Sequence, residues 1–158
     1  MIEDSCNKLE LEPVDVTAVL TNCLFENYAL FEKKGIEPES CLPDQCIMVN
    51  SNAQAMERIF QNLIQNALKF ANQGISIALL DEGTHGSFTI SNDAENLTDA
   101  DVGHLFERFY SADKSRAFGN TGLGLYIVKL LLERTQGSVG SIKFKNGWFT
   151  IKILFAKE

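Results

Sequence analysis

The spacing of apolar positions changes several times along the chain, and each change marks an element. Met56, Ile59, Phe60, Leu63, Ala67 and Phe70 recur every three or four residues, so the spacing predicts a helix over 52–71. Upstream, residues 9–14 alternate like a short strand, and Pro13 followed by Asp15 marks its end and a helix cap. Val16, Leu20, Cys23, Leu24, Asn27, Leu30 and Phe31 then predict one long helix that stops at Gly35, its apolar stripe laid on a sheet. Residues 36–42 and 46–50 read as two short strands joined by Pro43-Asp44-Gln45.

Downstream, 74–82 and 87–92 pattern as antiparallel strands around Gly83-Thr84-His85-Gly86, with glycines where positive φ is needed and His85 exposed at the tip. Residues 93–98 read as loop, 99–110 as an acidic-to-aromatic helical piece, and 111–119 as a mobile surface loop. A helix over 125–134 stops near Gly137, and strands 141–145 and 148–155 pair across Asn146-Gly147, a strong hairpin signal. Helices and strands mix without βαβ regularity. The expected fold is therefore α+β, a two-layer sandwich in which a mixed sheet of about five strands is covered on one face by about three helices.

Two stretches carry more than a core needs. At 100° per residue, Asn62, Asn66 and Lys69 fall within an arc of about 60°, a polar stripe along the 52–71 helix. Two asparagines one turn apart weaken a helix interior by competing for its backbone, so a solvated face is only one explanation. The second stretch is Gly119-Asn120-Thr121-Gly122-Leu123-Gly124-Leu125, a glycine-rich turn that enters the next helix. Amides without a neighbouring Cβ, together with a helix N-terminus, suit an anion such as phosphate. The turn lacks the Gly-Lys-Ser/Thr ending of a Walker loop, and no strand directly precedes it.

Composition narrows the partners. With 158 residues, 45% of them hydrophobic, and three prolines, the chain is sized for one domain, here 1–158 with 1–8 as a linker remnant. A formal charge of −7 argues against binding nucleic acid or an anionic membrane, so a phosphate ligand has to be held locally. Cys6, Cys23, Cys41 and Cys46 form no C-x-x-C pair, and His85 and His104 lie far from them, which fits reduced cysteines in a cytosolic domain rather than zinc. No apolar run reaches the roughly 20 residues of a membrane span, and the acidic start lacks a signal peptide's basic region.

Asn62-Leu63-Ile64-Gln65-Asn66-Ala67-Leu68-Lys69-Phe70, then Phe106-Glu107-Arg108-Phe109-Tyr110, then Gly119 to Leu125, stand in the order and spacing of three motifs. The chain thereby resembles, over nearly its whole length, the catalytic ATP-binding domain of sensor histidine kinases, with its Bergerat-type fold. The resemblance implies that Asn66 coordinates the magnesium that bridges the ATP phosphates. It implies that Lys69 contacts phosphate, that Phe70 lines the nucleotide site, and that Arg108 contacts phosphate or a partner. Asn62 stands where hydrolytic relatives place a general-base Glu, so transfer of the phosphoryl group is implied over hydrolysis. Residues 111–120 become an ATP lid, and Thr121, Gly122, Leu123, Gly124 and Leu125 become the phosphate-side backbone.

Three departures accompany it. The family's Asp-x-Gly-x-Gly is replaced by Asn92, Ala94 and Asn96. Ile90 fixes the register on Asn92 as the base contact, with Asp93 directed oppositely if the strand continues. An amide there accepts or donates according to its flip, so weaker discrimination against guanine is expected than with an aspartate. No phospho-accepting His-Glu/Asp-x-x-x-Pro helix is present, and Asn120 replaces a usual glycine. The implied activity is transfer of the γ-phosphoryl of Mg-ATP to a histidine on a dimerisation domain, with a response regulator downstream. The implied setting is the cytoplasmic part of a membrane-anchored kinase, without direct membrane contact by this fragment. The alternatives are a nucleotide-degenerate docking module and a serine protein kinase of the same superfamily.

Overall fold

The computed structural model describes residues 9–94, 104 and 124–157. Strand β1 (Glu12–Asp15) passes directly into helix α1 (Val16–Glu26), and the Asp15 carboxylate accepts from the Ala18 N–H at 3.1 Å, the expected cap. The single long helix expected over 16–34 is instead two. It breaks at Asn27, and α2 (Tyr28–Lys34) continues to Gly35, whose φ of 75° gives the expected left-handed stop. The break has a side-chain cause. Asn27 is buried, and its amide donates to the Cys23 carbonyl at 2.8 Å and to Gln61 Oε1 at 2.7 Å, so it competes with the helix backbone.

The two short strands that follow do not pair with each other. Strand β2 (Glu39–Cys41) runs parallel to β4 (Ile75–Asp81), whereas β3 (Met48–Ser51) pairs antiparallel with β1 in a separate two-stranded sheet. Helix α3 (Ala53–Phe70) begins at Asn52, whose side chain accepts from the Ala55 N–H at 3.0 Å. The remaining elements are β5 (His85–Asp93), α4 (Gly124–Arg134), β6 (Ser138–Lys145) and β7 (Trp148–Ala156). The main sheet is mixed, five-stranded and ordered β2-β4-β5-β7-β6, as expected for the class. A bridge from Val49 to Lys157 links the small sheet to its end.

Side-chain alternation explains the layering. In β7, Phe149, Ile151, Ile153 and Phe155 are buried while Trp148, Thr150, Lys152 and Leu154 are not, so the helices lie on one face of the sheet. Phe60 of α3 meets Phe88 of β5 edge-on with centroids 4.8 Å apart, and Phe155 of β7 at 6.0 Å. Burying aromatic rings in that arrangement adds about 0.5–1.5 kcal/mol per pair beyond the area removed from water.

Turn chemistry is met in part. Asn146 and Gly147 have φ of 56° and 80°, the two left-handed residues of a tight hairpin. At the β4–β5 hairpin only Gly83 is left-handed, with φ of 93°; Gly86 sits inside β5 beside Ile47, Val49 and Phe155. The strand therefore starts at His85, which is partly covered and shares a 3.0 Å contact from Nδ1 to Thr84 Oγ1. Strand β6 likewise starts earlier than expected, at Ser138, with a register shift between Val139 and Ser141.

Candidate functional site

Helix α3 is flanked by α1 and α4 and lies across β5, so its polar stripe faces α4 while its apolar face covers the sheet. Asn62 donates from Nδ2 to the carbonyl of Gly124, the first residue of α4, at 3.2 Å. One turn further, Asn66 is partly exposed and makes no side-chain hydrogen bond among the described residues. Lys69 is partly covered, with Nζ 5.1 Å from the centroid of the Phe70 ring. Asn62, Asn66, Lys69 and Phe70 thus lie on one helix, with the first of them against the start of α4.

Gly124 is exposed, and among the described residues no atom lies within 4 Å of where a Cβ there would sit. Leu125, next to it, is buried in the core. At the far end, Asn92 is 2% exposed on the helix-facing side of β5, in line with Phe88 and Ile90, and its Nδ2 donates to the Asp93 carbonyl at 2.9 Å. Ala94 is buried, and its N–H donates to the Gly147 carbonyl at 2.9 Å. That amide is already committed to the β6–β7 turn. Asn96, Arg108, Thr121, Gly122 and Leu123, with the 106–110 and 111–120 segments, lie outside the described residues.

Two residues were missed because their partners are remote in sequence. Asp93 Oδ1 accepts from the N–H groups of Asn72, Gln73 and Gly74 at 2.8, 3.0 and 3.0 Å, and Oδ2 accepts from Gln73 at 2.9 Å. Its desolvation alone raises the carboxyl, but the amides of Gly74, Asn72 and Gln73 outweigh that and hold it below the usual range. Lys34, at the end of α2, donates from Nζ to the Leu68 carbonyl and lies 3.4 Å from the Lys69 carbonyl. Desolvation lowers that ammonium, and the charge of Asp93 opposes the shift. The only local signal was Lys33-Lys34 in the last turn of a helix, which reads as favourable to that helix's own dipole.

The described residues include no group of three or more His, Cys, Asp or Glu able to hold a metal. On the polar stripe of α3, the side-chain amide oxygen of Asn66 is a neutral, hard donor of the kind that a magnesium ion takes. Magnesium accepts few protein ligands and completes its shell with phosphate oxygens and water, so the residues present fit it.

Residues 51–157 match the family described as Histidine kinase-, DNA gyrase B-, and HSP90-like ATPase. Sensor histidine kinase YcbM of Bacillus subtilis (strain 168) is 28% identical over 158 residues, covering 96% of this chain and 51% of the relative. The chain thus spans about half the length of that relative. The nucleotide-free catalytic domain of histidine kinase ThkA superposes with a TM-score of 0.81 at 17% identity, covering 94% of this chain and 97% of that one. ThkA in complex with the response regulator protein TrrA gives 0.77 at 14% identity, over 94% and 42%. Full-length ShkA in complex with AMPPNP gives 0.80 at 23% identity, over 98% and 33%. The matched segment covers more than half of the chain and contains α3, β5 and α4, and the chain belongs to the histidine kinase-, DNA gyrase B- and HSP90-like ATPase family.

Proposed function

We propose that this chain, as one domain, binds Mg-ATP and presents its γ-phosphoryl to a histidine on the dimerisation domain of a longer sensor kinase. The observation that carries the reading is the placement of Asn66 and Lys69 one helical turn apart on α3, on the side that meets the glycine at the start of α4. Asn66 offers magnesium a neutral oxygen, and Lys69 offers the phosphates a cation. Magnesium, when bound, neutralises charge on the phosphate oxygens. Asn92 reads the base and Phe70 packs beside it, with Ala94 and Asn96 completing that end. Thr121, Gly122, Leu123, Gly124 and Leu125 supply phosphate-side backbone, and Arg108 meets the phosphates or the partner domain.

The histidine nitrogen attacks the γ-phosphorus, the bond from that phosphorus to the β,γ-bridging oxygen breaks, and ADP leaves. Positioning and charge neutralisation do most of the work in such a transfer. Asn62 has no titratable group and is hydrogen-bonded to Gly124, so it is not a base for activating water, which disfavours hydrolysis. In this reading the domain works on the cytoplasmic side of the parent kinase. A response regulator is the downstream acceptor in this reading, in line with the ThkA–TrrA complex.

The test is phosphoryl transfer from γ-labelled ATP. Alone, the chain neither labels itself on histidine nor hydrolyses ATP rapidly; with its parent's dimerisation domain it labels that domain's histidine, and Asn66→Ala abolishes the label. Robust transfer by Asn66→Ala removes magnesium ligation from this residue. No transfer by the wild type, in a mixture where the two domains associate, leaves the docking module as the reading.

A further inference from the structure

The C-terminal end of α3 is held by two charges of opposite sign from two other elements. The last carbonyls of a helix have no partner within it, and here Leu68 and Lys69 present theirs to the ammonium of Lys34 on α2. Immediately afterwards the chain turns toward β4, and three successive amides, of Asn72, Gln73 and Gly74, converge on the carboxylate of Asp93 at the end of β5. The return bond, from the Asp93 N–H to the Gly74 carbonyl at 3.2 Å, locks the turn to the strand from the other side. A cation caps the negative helix end, an anion fills the nest of amides beyond it, and Asp93 also acts electrostatically on Lys34. The clamp sits between the residues read above as nucleotide contacts. Lys69 and Phe70 are within it, and Asn92 adjoins Asp93.

We propose that Lys34 and Asp93 are positioning residues for the nucleotide site: together they set the distance and orientation between the end of α3, with Lys69 and Phe70, and the end of β5, with Asn92. The proposal rests on the nucleotide-binding reading given above. Neither side chain needs to touch the ligand. A misplacement of about 1 Å far from the chemistry can cost about two orders of magnitude in rate where reacting groups are precisely positioned, so loosening this corner acts on the site without any contact to the ligand.

The experiment is calorimetric titration of Mg-AMPPNP into the wild-type chain, Lys34→Met, Lys34→Arg, Asp93→Asn and Gly137→Ala, at a temperature where circular dichroism shows each to be folded. Lys34→Met removes the donor but keeps much of the stem, and Asp93→Asn leaves a single acceptor oxygen for three amides. Each raises the Kd about tenfold, the equivalent of losing one charge-assisted hydrogen bond. Lys34→Arg, which retains charge and donors, recovers affinity to within about threefold of wild type. Gly137→Ala weakens the fold at the far end of α4 and keeps the wild-type Kd, which separates positioning from general destabilisation. If Asp93→Asn does not fold, the Lys34 pair decides alone. A wild-type chain that binds with Lys34→Met and Asp93→Asn at the same Kd overturns the clamp only. A wild-type chain that binds no nucleotide removes the reading on which it rests.

Discussion

Asn62 and Gly124 are joined by a hydrogen bond of 3.2 Å from the side-chain amide of one helix to the first carbonyl of the next. The stripe that could have been a solvated face is therefore partly structural, since this residue ties α3 to the start of α4. Only a donor serves there. Asn62→Asp sets a carboxylate against a carbonyl and is expected to cost about 0.5–1.5 kcal/mol. That corresponds to a fall in Tm of about 1–6 °C for a chain of this size, measured by thermal unfolding at pH 7. An unchanged or raised Tm contradicts the bond.

Gly137 and Gln136 make an adjacent pair whose substitutions have opposite signs. A Cβ on Gly137 falls 2.7 Å from the Leu154 carbonyl oxygen and 2.9 Å from Leu132 Cδ2, and the carbonyl belongs to the strand backbone. Gly137→Ala is expected to destabilise by about 1–3 kcal/mol through overpacking. Gln136 has φ of 64°, so Gln136→Gly relieves a left-handed conformation and stabilises by about 1 kcal/mol, less the entropy of the added glycine. Urea midpoints of the two variants test this, and shifts of the same sign count against the geometry.

The cysteines give a pH prediction. Burial pushes the Cys23 thiol from 9.0 up to about 12, aided by the nearby charges of Glu57 and Glu26. A raised folded-state value means that the neutral thiol's contribution to stability is fully present below pH 9.0 and is lost as pH rises toward about 12. Cys46 is exposed, but the hydrogen bond and charge of Asp15 push its thiol up as well, while Cys41 is exposed. Iodoacetamide at pH 8 followed by peptide mass spectrometry is expected, among the three described cysteines, to modify Cys41 first, Cys46 more slowly and Cys23 last. Modification of Cys23 at the rate of Cys41 in the folded chain contradicts the packing.

Asn92 has one of its two possible faces already engaged. One N–H of its NH₂ donates to the Asp93 carbonyl, which sets the flip of the amide, and in the proposed site the oxygen is the group that meets the base. This narrows the reading from sequence, in which either flip is open and discrimination against guanine is weaker than with an aspartate. An oxygen accepts from the amine of adenine and repels the carbonyl of guanine, so ATP is expected to bind at least about tenfold more tightly than GTP. Asn92→Ala removes the preference. Equal affinities of the wild type for ATP and GTP, in parallel titrations, rule out this role.

Local chemistry was the most legible part of the chain. Asp15, Gly35 and Asn146-Gly147 each act on backbone within a few residues, and each does what its spacing implies. Asn27 was misread as a position on an apolar stripe because its helix break depends on Gln61, 34 residues away. The partners of β2 and β3 were equally invisible, since period-2 alternation states that a strand exists and not what it pairs with. At the candidate site, the Asn62, Asn66 and Lys69 stripe followed from helical period alone. The Lys34 and Asp93 contacts arise only once α2, α3 and β5 are assembled.

Binding of nucleotide with and without magnesium tests the central claim most directly. Thermal unfolding of the chain is followed with AMPPNP alone, with AMPPNP and magnesium, and with both added to Asn66→Ala. At a ligand concentration one hundredfold above Kd, linkage gives about 2.7 kcal/mol, a rise in Tm of roughly 5–11 °C. The account predicts that rise for the wild type with magnesium, a smaller one without it, and no gain from magnesium in Asn66→Ala. No shift of the wild-type Tm at millimolar AMPPNP and magnesium contradicts it.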